Sequence, residues 1–157
     1  AMNILPTIEN IEKNLNDIAG VRVICSFPED IYAIADMLCV QDDITLISRK
    51  DYIANPKPNG YRSLHLILGI PICLSTGKKM MKVEVQFRTI AMDFWASLEH
   101  KIQYKFEGEA PPHINEELME CAQMVNELDE KMLTLNEEII RIEEERVQVK
   151  MQEEAHG

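Results

Sequence analysis

Two hydrophobic periods alternate along the chain, and their order sets the expected fold. Ile8, Ile11 and Leu15 recur at spacings of three and four, which predicts a short helix over Ile8 to Asn16. Val21-Arg-Val-Ile-Cys-Ser-Phe27 is a short apolar run and reads as a strand. Pro28-Glu-Asp opens a helix, since proline suits a first turn and acids suit the positive end of the helix dipole. Ile31, Ile34, Ala35 and Leu38 make its apolar face. A strand from Ile44 to Ser48 delivers Arg49 and Lys50 to a loop, and a further strand is expected from Arg62 to about Ile70. Pro71 to Lys79, with Ser75-Thr-Gly77 inside, suggests a hairpin connection. Met81, Val83, Val85 and Phe87 then alternate strictly with Lys82, Glu84, Gln86 and Arg88, the mark of a half-buried strand. Thr89 can cap a helix running to about Tyr104. In that helix Ile90, Phe94, Leu98 and Ile102 form an apolar stripe that Ala91 and Trp95 widen. Strands at 21–27, 44–50, 62–70 and 81–88 among helices describe an α+β domain with a mixed sheet.

After Pro111-Pro112 the pattern changes. From Ile114 to about Glu154 everything reads as helix, in one piece or two. Val125, Met132, Ile139 and Arg146 fall seven apart, as do Leu128, Leu135, Ile142 and Val149, a heptad seam flanked by glutamates. Forty helical residues would extend roughly 60 Å at about 1.5 Å each, further than one small domain can cover. Homo-oligomerisation through this tail is therefore expected, with packing back onto the domain as the alternative. The chain divides into residues 1–108 as one domain and 109–157 as C-terminal helices.

Composition changes this picture in three places. A chain of 157 residues with 46% hydrophobic content can bury a real core. No apolar run approaches the roughly 20 residues that span a bilayer, and no secretory pattern opens the sequence, so no membrane partner and a cytoplasmic location are expected. Cys25, Cys39, Cys73 and Cys121 lack a C-x-x-C spacing and sit among apolar neighbours, which reads as buried, reduced thiols. The net charge of −11 comes wholly from the tail, where Glu107 onward holds 15 acids and 4 bases; residues 1–106 are neutral. An acidic tail argues against nucleic acid as a partner and leaves room for a local cationic site.

That site is the stretch Lys50-Asp-Tyr-Ile-Ala-Asn-Pro-Lys-Pro-Asn-Gly-Tyr-Arg-Ser-Leu-His65. Its prolines hold the chain extended, and Asn59-Gly60 is a turn signal because both residues tolerate positive φ. Alternation places Tyr61, Ser63 and His65 on one face, with Lys50, Lys57 and Arg62 around them. A flat ring beside cations and an imidazole suits a nucleotide, whose base stacks while its phosphates take the charges. A solvated loop with Tyr61 packed on the core is the alternative.

The same stretch resembles the guanine-nucleotide loop of the RelA/SpoT-type (p)ppGpp synthetases. Asp17-Ile-Ala-Gly-Val-Arg22 before it and Glu84-Val-Gln-Phe-Arg-Thr89 after it follow the family's order. Met92-Asp-Phe-Trp-Ala-Ser-Leu-Glu-His100, with Tyr104-Lys105, is most similar to the small, single-domain alarmone synthetases. The resemblance implies a nucleotidyltransferase-like sheet and transfer of pyrophosphate from ATP to the 3′-hydroxyl of GTP or GDP. It implies that Asp17 and Glu84 hold Mg²⁺, with Glu84 also activating the 3′-hydroxyl. Tyr61 is implied to stack on guanine, Lys50, Lys57 and His65 to contact acceptor phosphates, and Asn59 to lie in the guanine pocket's loop. Gln86 and Arg88 fall in the block that supports the site.

One departure concerns the donor. Members of the family carry a basic segment ahead of the aspartate that grips ATP, whereas the sixteen residues before Asp17 hold a single cation, Lys13. This chain is expected to bind guanine nucleotide better than it catalyses transfer. A guanine-nucleotide sensor and an oligomeric scaffold remain as alternatives to a synthetase.

Overall fold

The computed structural model describes residues 19–75, 77–105 and 111–155. The short helix expected over Ile8 to Asn16, and Asp17 with it, lie outside the described residues. Four strands make one sheet: β1 (Ala19–Cys25), β2 (Thr45–Asp51), β3 (Leu64–Leu74) and β4 (Gly77–Thr89), in spatial order β1-β4-β3-β2. β1 runs parallel to β4, and β4–β3 and β3–β2 are antiparallel, so the sheet is mixed as expected. Three helices complete the described fold: α1 (Pro28–Cys39), α2 (Ile90–Gln103) and α3 (Pro112–Ala155). The class is α+β.

Alternation decides what each face of the sheet does. Leu64, Leu66 and Leu68 of β3 and Val85 and Phe87 of β4 are buried under Ile31 and Ala35 of α1, with Cys25 and Met92 joining the cluster. The opposite face keeps the polar partners. Lys50, His65, Gln86 and Arg22 pair in turn across β2, β3, β4 and β1, a single row crossing the whole sheet. Glu84 lies one step along the same face, opposite Gly20 and Ile67.

The hairpin between β3 and β4 is longer than the sequence suggests. Pro71 to Leu74 continue β3 and pair with Met80 to Gly77, so Pro71 and Lys79 are strand residues. Pro71 is tolerated because β3 has outrun β2 there: the last β2 pair is Thr45 with Gly69. At its start β3 begins at Leu64, and Ser63 is buried with its hydroxyl donating to the Phe87 carbonyl at 3.0 Å.

α2 is capped as its sequence indicates, Thr89 Oγ1 accepting from Met92 N at 3.1 Å. Its buried face differs from the expected stripe. Met92, Trp95 and Ala96 are buried, whereas Ile90 is 65% and Phe94 60% exposed, and Leu98 and Ile102 are exposed as well. The reason is the partner: α2 must cover the tail helix, and Trp95 packs there with Leu118 and Ala122.

α3 is one helix, and its two ends are in different surroundings. Its first turns share a core with the domain through Leu118, Ala122, Ile114 and Val125. Beyond Asp129, which is buried, Met132, Leu135, Ile139 and Val149 of the seam are exposed. Packing back thus describes the start of the tail. All four cysteines are free, but Cys73 and Cys121 are exposed, contrary to the expected burial, because each falls on an outward position of its element. No helix among the described residues is long and apolar enough to cross a membrane.

Leu66→Ala should lower stability by about 2–5 kcal/mol, the usual cost of emptying a fully buried site. Ile90→Ala should stay within about 0.5 kcal/mol despite the equal loss of apolar atoms. Urea unfolding of both variants checks the assignment of faces.

Candidate functional site

The loop from Tyr52 to Ser63 carries the site, and Asp51 starts it. The Asp51 carboxylate accepts from Ile53 N at 2.9 Å and Ala54 N at 3.0 Å, and from the Tyr32 hydroxyl at 3.2 Å. That fixes the chain's exit from β2. At the tip, Gly60 N donates to the Lys57 carbonyl at 2.8 Å, closing a turn with Pro58 and Asn59 at its centre and Gly60 at φ +87°. Asn59 Oδ1 accepts from Tyr61 N at 3.2 Å, and its amide donates to Glu99 at 3.3 Å. Asn59 therefore shapes the loop and ties it to α2; both ends of its side chain are engaged.

Past the turn, five side chains close a ring of hydrogen bonds on the polar face. Arg88 Nη2 donates to the Tyr61 hydroxyl at 2.9 Å. The Tyr61 hydroxyl meets His65 Nε2 at 2.8 Å, and His65 Nδ1 meets Glu84 Oε1 at 3.2 Å. Gln86 Nε2 donates to Glu84 Oε2 and its Oε1 accepts from Arg88 Nη2, each at 3.3 Å. The direction of the ring follows from chemistry. A carboxylate only accepts, so Nδ1 carries the imidazole proton and Nε2 accepts from Tyr61. Arg88 is only 6% exposed and is anchored from behind, Nη1 to Asp93 at 2.9 Å; Arg22 reaches the same carboxylate at 3.2 Å.

Burial pushes the His65 pKa down, Lys57 and Arg88 push the same way, and Glu84 opposes them. The ring is thus held neutral. Its folded pKa lies below its unfolded one, so it contributes stability above about pH 6.5 that is lost as pH falls through the folded value.

Two cavities open on this face, and Glu84 lines both. One, of about 280 Å³, has Lys50, Tyr52, Lys57 and His65 on its walls. The other, of about 230 Å³, lies toward β1 between Gly20, Arg22 and Gln86. Lys57 Nζ stands 4.8 Å from the Tyr52 ring centroid and 4.7 Å from that of Tyr61. A base stacking on Tyr61 has to displace this ammonium, which can exchange the rings for a phosphate in the same cavity.

Of the residues expected from sequence, the structure gathers Lys50, Lys57, Tyr61, His65, Glu84 and Gln86, with Gln86 on the β1 side. Asn59 stands apart, and Asp17 lies outside the described residues. Among the described residues no group of three His, Cys, Asp or Glu side chains is placed to hold a metal. Sequence reasoning passed over Tyr52, although an aromatic five residues from Lys57 was a visible signal. It also gave no role to Asp93, and only a supporting one to Arg88; an arginine before a helix cap and an acid five residues on were the clue.

The site is thus a mixed α+β sheet bearing a cationic, aromatic cavity and a second cavity across one carboxylate. The chain belongs to the RelA/SpoT family: the region found in RelA / SpoT proteins matches residues 4–109. It is 50% identical over 133 residues to the GTP pyrophosphokinase YwaC of Bacillus subtilis, covering 85% of this chain and 63% of that protein. The chain thus spans less than two thirds of the length of that curated relative. The small alarmone synthetase 2 of Bacillus subtilis superposes with a TM-score of 0.77 at 52% identity, over 80% of this chain and 68% of that one. The small alarmone synthetase 1 of the same organism, bound to its product pppGpp, superposes with a TM-score of 0.78 at 38% identity, over 85% and 68%.

Glu84→Gln should lower the His65 pKa further, since the Glu84 charge is what holds it up. Imidazole titration by NMR checks this; a rise in the midpoint would show that another group controls the ring.

Proposed function

We propose that this protein is a GTP pyrophosphokinase, transferring the terminal diphosphate of ATP to the ribose 3′-hydroxyl of GTP or GDP to make (p)ppGpp. The observation that carries the reading is that Glu84 lines both cavities. Moving a diphosphate from ATP to a hydroxyl of the second nucleotide, with AMP as the leaving group, calls for a base between the two, and this carboxylate borders both cavities. The relatives' names as GTP pyrophosphokinases and the pppGpp bound to one of them support the same chemistry.

The acceptor takes the larger cavity. Its phosphates go to Lys50 and Lys57, with His65 at the cavity wall, and its guanine stacks on Tyr61, which adjoins the cavity through Lys57 and His65. The donor takes the cavity beside β1, where Arg22 supplies a cation and Gln86 faces the transferred group. Glu84 accepts the proton of the 3′-hydroxyl, held toward it by His65 and Gln86. Mg²⁺ fits the donor set, since a carboxylate beside polyphosphate oxygens suits this ion; Glu84 and Asp17 would hold it. When bound it neutralises phosphate charge.

Residues 1–108 act as the catalytic unit and 109–157 as the assembling helix, whose exposed seam of Met132, Leu135 and Ile139 supports a homo-oligomer. The free thiols suit a reducing, cytoplasmic compartment.

In the protein as the cell makes it, Glu84→Gln should cut turnover of ATP and GTP by at least about 10²-fold while leaving GTP affinity within about threefold. Chromatographic product assay and calorimetry read the two quantities. Undiminished turnover removes Glu84 from the chemistry.

A further inference from the structure

Tyr61 has two supports; the tail helix touches the first and bonds the residue next to the second. The first is the glycine before it. Gly60 approaches α3 so closely that a Cβ at this position would stand 2.5 Å from Ala122 Cβ and 3.3 Å from Met119 Sδ. Only the smallest residues allow that approach, and the positive φ of Gly60 excludes most others independently. Tyr61 then packs on the cluster of Trp95, Leu118 and Ala122, where Trp95 Nε1 donates to the Leu118 carbonyl at 3.0 Å.

The second support is Arg88, which holds the Tyr61 hydroxyl. Its neighbour Thr89 donates to Asp129 Oδ2 of α3 at 2.6 Å while capping α2. Asp129 is 7% exposed. Burying a carboxylate against a single hydroxyl is costly, so this contact is a specific anchor rather than incidental packing.

We infer that the first turns of α3 are a positioning element for the acceptor pocket: Ala122 through Gly60, and Asp129 through Thr89, set the affinity for the guanine nucleotide without touching it. The inference rests on the assignment of the Lys50 and Lys57 cavity to the acceptor, with the neighbouring Tyr61 as its stacking surface. It differs from assembly through the seam, because Ala122 and Asp129 are buried within the protomer.

Two substitutions in the full-length protein test it, Ala122→Leu and Asp129→Leu. The first wedges the helix away from Gly60, and the second removes the acceptor of Thr89. Each should raise the KM and Kd for GTP roughly tenfold or more, with the KM for ATP within about twofold, since small displacements of a positioning contact cost affinities of this order. Asp129→Asn keeps an oxygen for Thr89 and should restore GTP affinity to near the unsubstituted value. Trp95, the only tryptophan, sits in the contact, so its emission reports whether the helix has shifted in a folded variant. Shifted emission with unchanged GTP affinity in both leucine variants would overturn the inference while leaving the proposed reaction intact. Equal losses for ATP and GTP would overturn it too, as general destabilisation. Failure of the unsubstituted protein to bind GTP would remove the functional reading, and this inference with it.

Discussion

A neutral imidazole is the constraint on which the site depends. His65 can accept from Tyr61 and donate to Glu84 at once only while it carries one proton. Burial and the flanking cations keep it in that state. With a second proton the Tyr61 hydroxyl would face a donor, and the link from Arg88 through to Glu84 would break at its centre. The ring joins Tyr61 to Glu84 through that one imidazole, so the positions of the aromatic and the carboxylate depend on each other. Networks of this kind are costly when partly satisfied, and one buried donor of this one, Arg88 Nε, has no hydrogen-bond partner among the described residues.

The sheet makes that ring possible by dividing its labour between faces. Leucines of β3 and the valine and phenylalanine of β4 bury one side under α1. Strict alternation then obliges His65, Glu84 and Gln86 to the other side, and strand pairing brings Lys50 and Arg22 into line with them. A slip of one residue in β4 would exchange Glu84 for Val85 and destroy core and site together. The loop is a separate device. Asp51 fixes its departure, Gly60 lets it press on the tail helix, and Asn59 holds its tip to α2.

Much of this was legible in the sequence, and the gaps have physical causes. The alternation of Met81 to Arg88 and the cap at Thr89 are local patterns, and local geometry obeys them. The stripe Ile90, Phe94, Leu98 and Ile102 misled because spacing shows that a helix has apolar positions but not which of them meets a partner. Here Trp95 is buried by the tail helix and Met92 by the sheet core. The tail itself divided between two expectations, as its small residue Ala122 invites close approach to the domain while the larger residues further on stay exposed. Tyr61, His65 and Glu84 were expected at one site, but the closing role of Arg88 needed the fold, because it joins positions 27 residues apart.

The measurement that tests the central claim most directly is the affinity of Tyr61→Phe for GTP by calorimetry. The ring for stacking is kept, and only the hydroxyl joining Arg88 to His65 is lost. The account predicts binding weakened by about five- to thirtyfold, the worth of roughly 1–2 kcal/mol of buried hydrogen bonding. Affinity equal to that of the unsubstituted protein would contradict it and reduce Tyr61 to a stacking surface alone.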